Sequence, residues 1–156
     1  MRRASFADMN CSIAQALEVI GPWWTPLIIR DALMGVTRFD HFQSRLGIAR
    51  NVLTQRLDHL VTHGVLEAVP YQDRPPRYDY RLTDKGRDLW TVLTALRQWG
   101  DTWLADEGPP VEAVHRTCEH TARALPVCSA CGRPLHGHDL SLRHGPGAPD
   151  GGVLPE

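Results

Sequence analysis

Across residues 12–106 the apolar positions change period twice, and the changes mark out elements. Residues 12–21, SIAQALEVIG, carry Ile13, Leu17 and Ile20 on one side of a helix, with Ser12 placed as N-cap. Gly21-Pro22 breaks the pattern. Residues 23–35, WWTPLIIRDALMG, predict a second helix, apolar nearly all round and therefore central and buried. Pro26 falls in its first turn, where a missing N–H breaks no intrahelical bond. RFDHFQSRLG predicts a third, short helix with Phe39, Phe42 and Leu46 at core spacing and Gly47 as its stop. The fourth follows in GIARNVLTQRLDHLVTHGVL. At 100° per residue Leu53, Leu57, Leu60 and Val61 form one stripe. Asn51, Gln55, Asp58, His59 and Thr62 form the opposite side, and His63-Gly64 ends the helix. VLEAVPY and RYDYRLT are strand-like runs separated by a stiff, charged loop at residues 72–76. Thr83 then caps a long helix running to about Asp106, with an apolar seam of Leu89, Val92, Leu93, Leu96, Trp99 and Trp103.

Three helices, a two-stranded hairpin and one more helix predict a winged helix-turn-helix. The fold class is mainly α (α+β), with a long C-terminal dimerisation helix and a small Cys/His-containing tail. The expected divisions are an arm at 1–11, the winged-helix domain at 12–107, a Cys/His-rich module at 111–144 and a disordered Gly/Pro-rich end at 145–156. In such a domain one helix crosses the DNA backbone and the next enters the major groove. The polar face of the fourth helix carries suitable chemistry. Asn51 and Gln55 can pair bidentately with adenine, and Arg50 can reach guanine. Arg38, Thr54 and His59 complete the expected reading surface, while Arg74 and Arg77 at the hairpin tip suit phosphates or the minor groove. The competing reading is a merely solvated face, and Asp58 on that face repels phosphate.

Composition modifies this picture only in its distribution. The chain has 156 residues, 42% hydrophobic and 22% charged, with net charge −1. That balance argues weakly against nucleic acid. Residues 36–87, however, hold nine Arg/Lys against six Asp/Glu, whereas residues 88–112 hold one against five. No apolar run approaches the roughly 18 residues of a membrane helix. Arg2 and Arg3 are followed by no apolar signal region, so a cytoplasmic location is expected. There thiols stay reduced, and the four cysteines are expected to be free, metal-bound or redox-active. No glycine-rich phosphate loop, nucleophile elbow or helical carboxylate pair is present, so catalysis is not expected.

Three segments, CSIAQALEVIGPWWTPLIIRDAL, RFDHFQSRLGIARNVLTQRLDHLVTHGVL and RPPRYDYRLTDKGRDLW, resemble the HxlR family of bacterial transcription regulators, over about residues 10–104. The resemblance implies a winged-helix homodimer on palindromic promoter DNA. It also implies a role for Cys11, which matches the cysteine that some members use to sense quinones, aldehydes or disulfide stress. Just ahead of a helix N-terminus, the helix dipole favours its thiolate. The alternative is a cysteine kept for packing at the dimer interface. Two departures stand out: Ala49 replaces the usual Ser cap, at a cost of about 1 kcal/mol, and Ser12 replaces a common Pro. A chain this small cannot bury both the last helix's seam and the first helix's outer side, which independently asks for a partner subunit.

Trp23, Trp24, Trp99 and Trp103, with Leu96, are expected in the core or dimer interface, or around a small aromatic effector. The tail supplies a second candidate site in HRTCEHTARALPVCSACG. His115-x2-Cys118 and Cys128-x2-Cys131 offer four soft ligands suited to one structural, tetrahedral zinc per chain, with His120 competing for the place of His115. A redox dithiol at Cys128/Cys131 and a metal-free knuckle are the alternatives. The leading function is therefore a DNA-binding regulator. A metal-responsive regulator comes second, and a Cys-x2-Cys thiol-redox protein third, since the strand-helix alternation of thioredoxin-like enzymes is missing around that motif.

Overall fold

A computed structural model describes residues 5–148. Residues 1–4 of the expected arm and 149–156 of the expected disordered end lie outside the described residues. The helices are α1 (Ser12–Ile20), α2 (Thr25–Leu33), α3 (Phe39–Leu46), α4 (Arg50–Thr62) and α5 (Asp84–Trp103). Strands β1 (Leu66–Asp73) and β2 (Pro76–Leu82) form the hairpin between α4 and α5. The chain divides into two compact units, residues 1–96 and 97–156. Among the described residues no helix is long and apolar enough to cross a membrane.

The core of the first unit comes from the stripes read in the sequence. Ile28 and Ile29 of α2, Phe42 of α3, and Leu53, Leu57 and Leu60 of α4 are fully buried. Ile48 and Val65 of the connections and Leu66 at the start of β1 close the cluster. Leu89 and Leu93 of α5 pack against it. The turn between α3 and α4 needs a left-handed residue, and Gly47 provides it at φ 62°. Buried Ile48 pins that turn, so the angle between α3 and α4 is set by packing.

α2 is less central than expected. Asp31 is buried between Arg30 and Arg45, 2.8 and 3.1 Å away, and ties α2 to α3. Trp23, Leu27, Leu33 and Met34 are exposed. The all-round apolar pattern thus serves two surfaces, of which this chain covers one. α1 begins one residue earlier in register than expected: Cys11, not Ser12, occupies the cap position, and no side chain caps the helix. The described part of the arm is bonded to α1. The Gln15 amide donates to the carbonyls of Ala7 and Met9, both at 2.9 Å, and Glu18 accepts from the Phe6 N–H.

The hairpin is longer than the alternation suggested. Gln72, Asp73 and Pro76, read as loop, pair as Gln72↔Arg77 and Asp73↔Pro76, leaving Arg74-Pro75 as the tip. The register slips between Pro70 and Gln72, so Tyr71 bulges. Arg38 bridges to Asp79, and the Tyr80 N–H donates to the Thr37 carbonyl at 2.8 Å, which docks the hairpin on the chain before α3. Thr83 caps α5 as expected: its hydroxyl accepts from the Gly86 N–H at 3.1 Å and donates to the Gly64 carbonyl at 2.6 Å. α5 ends at Trp103 rather than Asp106.

In the second unit, beyond α5, regular structure among the described residues is limited to one short 3₁₀ turn, Gly137–Asp139, and two isolated antiparallel bridges. Gln98 of α5 clamps the following chain within this unit. Its amide donates to the Ala124 carbonyl at 2.9 Å and accepts from the Ala124 N–H at 2.6 Å.

Candidate nucleic-acid interface

The amphipathic pattern of α4 turns Leu53, Leu57 and Leu60 inward and leaves Arg50, Asn51, Thr54 and Gln55 exposed over its first two turns. Neither Asn51 nor Gln55 has a side-chain hydrogen bond among the described residues, so both amides keep their donors and acceptors for another molecule. Thr54 is partly committed, since its hydroxyl donates to the Arg50 carbonyl at 3.0 Å. No side chain caps α4 at Ala49, leaving its first N–H groups and the positive end of the helix dipole exposed.

His59 departs from the expected reading surface. Its ring Nε2 lies 2.9 Å from the Val19 carbonyl, and its ring packs 4.2 Å from that of His63. It is half-buried and fastens α4 to α1. Arg56, which the sequence did not single out, does the same for the chain before α2 by donating to the Trp23 carbonyl at 3.0 Å. The apolar stripe is thus flanked by two polar anchors, and the reading surface narrows to the N-terminal half of α4.

The hairpin stands beside that half. A concavity of about 440 Å³ separates them, lined by Arg38, Phe39, Arg50, Tyr71, Arg77 and Tyr78 among others. Arg38 is mostly spent inside the protein: it pairs with Asp79 at 2.6 Å and lies 3.7 Å over the ring of bulged Tyr71. Arg50 lies 5.0 Å over Phe39, which holds its guanidinium at the start of α4. Arg74 and Arg77 are exposed at the tip and have no ion pair among the described residues. Burial pushes the Tyr80 phenol up from its ordinary value, with Asp58 and then Tyr78 adding to the shift. Asp58 therefore faces the hairpin side, as its place on the polar face required. Tyr71 and Tyr78 were not anticipated as site residues. Their alternation in the strands was legible, but the bulge that re-aims Tyr71 was not.

The other expected sites are placed as follows. Cys11 is exposed and carries a free thiol. Trp24 packs against the core, whereas Trp23, Leu96, Trp99 and Trp103 are 77, 54, 56 and 69% exposed. None of these tryptophans lines the concavity beside α4. In the tail, His115 Nδ1 lies 3.2 Å from Cys118 Sγ, and His120 Nδ1 lies 2.5 Å from the Cys118 carbonyl. The Cys128 thiol is held below the ordinary thiol value, first by the Cys131 backbone N–H, then by that of Ala130 and by the Cys131 side chain. The two pairs do not converge: among the described residues no three His, Cys, Asp or Glu side chains stand close enough to hold a metal ion.

Known proteins share this arrangement. The family described as HxlR-like helix-turn-helix matches residues 19–108. An uncharacterized HTH-type transcriptional regulator of Mycobacterium tuberculosis is 42% identical, over 87% of this chain and 87% of its own. The crystal structure of PA1607, described as a transcription factor, superposes with a TM-score of 0.81 at 40% identity, covering 91% of this chain and 100% of that one. The redox regulator HypR, in its reduced form, gives a TM-score of 0.55 at 28% identity, covering 59% of this chain and 92% of its own. A match to 91% of the chain cannot end at residue 108, so the likeness to PA1607 takes in part of the tail. With this winged-helix fold and with these relatives, the chain belongs to the HxlR-like helix-turn-helix family of transcriptional regulators and is not an enzyme.

Proposed function

We propose that the protein is a homodimeric, sequence-specific repressor or activator that places the N-terminal half of α4 in the major groove of a palindromic operator. The observation that carries this reading is the pair of unpartnered amides of Asn51 and Gln55, with the exposed Arg50 guanidinium beside them, raised on a helix whose opposite face holds the buried Leu53, Leu57 and Leu60. Arg74 and Arg77 at the hairpin tip then meet phosphates or the minor groove, and the concavity between hairpin and α4 admits the backbone. Val92, Leu96, Trp99 and Trp103 recur at four, three and four residues along α5 and are all exposed, which suits packing against a second copy. Exposed Ile13 and Leu17 of α1 extend the apolar surface available to that copy. Two-fold symmetry would set the two α4 helices roughly 34 Å apart, one turn of DNA.

The test is a footprint on the protein's own promoter region. Gln55→Ala should weaken binding by about 1–3 kcal/mol and relax preference at one base position. Arg74→Ala and Arg77→Ala should weaken all sequences alike and flatten the salt slope by about one unit each. An unchanged footprint for Gln55→Ala overturns the assignment of α4. Sedimentation of a variant with Leu96 and Trp99 both replaced by Glu should give monomers, and an intact dimer would move the interface elsewhere.

A second reading concerns control. Exposed Cys11 at the cap position of α1, together with a redox regulator among the structural relatives, supports thiol modification as the signal. An adduct there would shift α1 and with it the spacing of the two reading helices. Diamide or a quinone should then release DNA from the wild type and not from Cys11→Ser. If both respond alike, the thiol is packing, and a small aromatic ligand among the exposed tryptophans becomes the better account.

A further inference from the structure

The tail contains one backbone turn twice. Val114 bridges Thr121, and Val127 bridges Pro134, thirteen residues further on. Within the first turn the His115 N–H donates to the His120 carbonyl at 3.0 Å, and within the second the Cys128 N–H donates to the Arg133 carbonyl at 2.8 Å. The Glu119 N–H donates to the His115 carbonyl, and the Gly132 N–H to the Cys128 carbonyl, both at 2.8 Å. The outer pairs match as well: Ala122 to Ala113 at 2.7 Å and Leu135 to Pro126 at 3.0 Å. Glu119 and Gly132 share the left-handed conformation, at φ 57° and 72°. Residue by residue the two turns superimpose in their bonding, and His115 and Cys118 correspond to Cys128 and Cys131.

We propose that these turns are the two halves of one tetrahedral zinc site, with His115, Cys118, Cys128 and Cys131 as its ligands. Each turn presents residues i and i+3 on the same side, the spacing that lets a short loop offer two ligands to one ion. The His115 nitrogen and Cys118 sulfur, 3.2 Å apart, are close to the edge of about 3.5 Å that Zn–N and Zn–S bonds of ordinary length subtend in a tetrahedron. Gln98 holds Ala124, midway between the turns, so the link that joins the halves is fixed at one point.

The need for a staple is independent of the turn geometry. No described residue from 97 onward is buried, so this stretch has no hydrophobic core of its own to order it. Small folds in that position use disulfides or a structural metal. A donor set of three thiolates and one imidazole favours zinc over magnesium or calcium. All four positions are filled by protein, so the site is structural. Binding draws the two turns together and releases the thiol protons to solvent. His120 is left out because the thirteen-residue correspondence between the turns matches His115 and Cys118, not His120, to Cys128 and Cys131. This site stands or falls separately from the DNA-binding reading.

The test titrates Co²⁺, then Zn²⁺, into the reduced full-length protein after removal of metal with a chelator. The expected result is one Co²⁺ per chain with intense tetrahedral d–d bands and sulfur-to-cobalt charge transfer, displaced by one Zn²⁺. Cys128→Ser, Cys131→Ser, Cys118→Ser and His115→Ala should each lower affinity at least about tenfold, the scale already set by outer-shell partners of metal ligands. Cys11→Ser and His120→Ala should leave the spectrum unchanged. Far-UV circular dichroism of each variant checks that the winged helix remains folded. A weak octahedral spectrum, one ion per two chains, or loss of binding with His120→Ala and not with His115→Ala overturns the site.

Discussion

The two units of this chain are built on opposite principles. In the first, the buried apolar side chains gather mainly in one cluster, drawn from α2, α3, α4, the start of β1 and the connections between them. Its polar groups are then arranged around that cluster: Asp31 between two arginines, His59 on Val19, Arg56 on Trp23. In the second, beyond α5, shape rests on hydrogen-bonded turns and on the Gln98 clamp, with no buried side chain among the described residues. Burial makes a unit whose reading surface is held rigid from behind. Turns without burial make one that needs a ligand or a partner to hold it.

The largest effect expected of breaking the first principle is at Leu57. It is fully buried in mid-α4, on the side opposite Gln55. Leu57→Ala should cost about 2–5 kcal/mol from lost burial and the cavity left. Urea unfolding followed by far-UV circular dichroism reads it. Hydrogen exchange at the His115 and Cys128 amides of the tail should not change. Coupled loss in both places would abolish the distinction between the units.

Gly86 offers a smaller break at a junction. It is buried in the first turn of α5, and a Cβ there would meet the Val65 carbonyl oxygen and the Leu82 side chain. Backbone oxygen cannot move aside cheaply, so Gly86→Ala should cost about 1–3 kcal/mol by overpacking. It should also lift the hairpin away from α5 and so weaken the contribution of Arg74 and Arg77 to DNA binding without touching α4. A variant with wild-type stability and salt slope would mean the α5 start is loosely docked.

Much of the first unit was legible because burial imposes a period. Leu53, Leu57 and Leu60 announced both the helix and its inward face, and Gly47 and Gly64 announced its ends. What escaped was set by residues distant in sequence. His59 lies on the polar side by angle alone, yet a carbonyl forty residues earlier claims it. Arg38 read as a free cation, and its partner Asp79 comes from the far strand. Gln72, Asp73 and Pro76 read as loop because polar strand ends carry no burial signal. In the tail the reverse held. The two ligand spacings were plain, but the equal backbone of the turns was not, since the sequences VHRTCEHT and VCSACGRP agree only at the first valine and at the cysteine that closes each pair.

The smallest effect, and the sharpest contrast, is at the two non-glycine residues with left-handed backbone among the described residues, one in each unit. Trp24 takes φ 80° ahead of α2, and its ring packs against the core. Glu119 takes φ 57° and is exposed. An L-residue in that region pays roughly 1–2 kcal/mol, which glycine avoids at the expense of a floppier unfolded chain. At Trp24 the relief is outweighed by the packing lost with the indole, so Trp24→Gly should destabilise the first unit by about 1–3 kcal/mol. At Glu119 nothing is lost but a solvated carboxylate, and Gly132 already occupies the matching position of the second turn. Glu119→Gly should therefore stabilise its turn by up to about 1 kcal/mol. Slower hydrogen exchange at the amides of residue 119 and His115 would register the gain, as would tighter Co²⁺ binding. Faster exchange would mean that the first turn does not populate the left-handed conformation, and the correspondence between the two turns would fail with it.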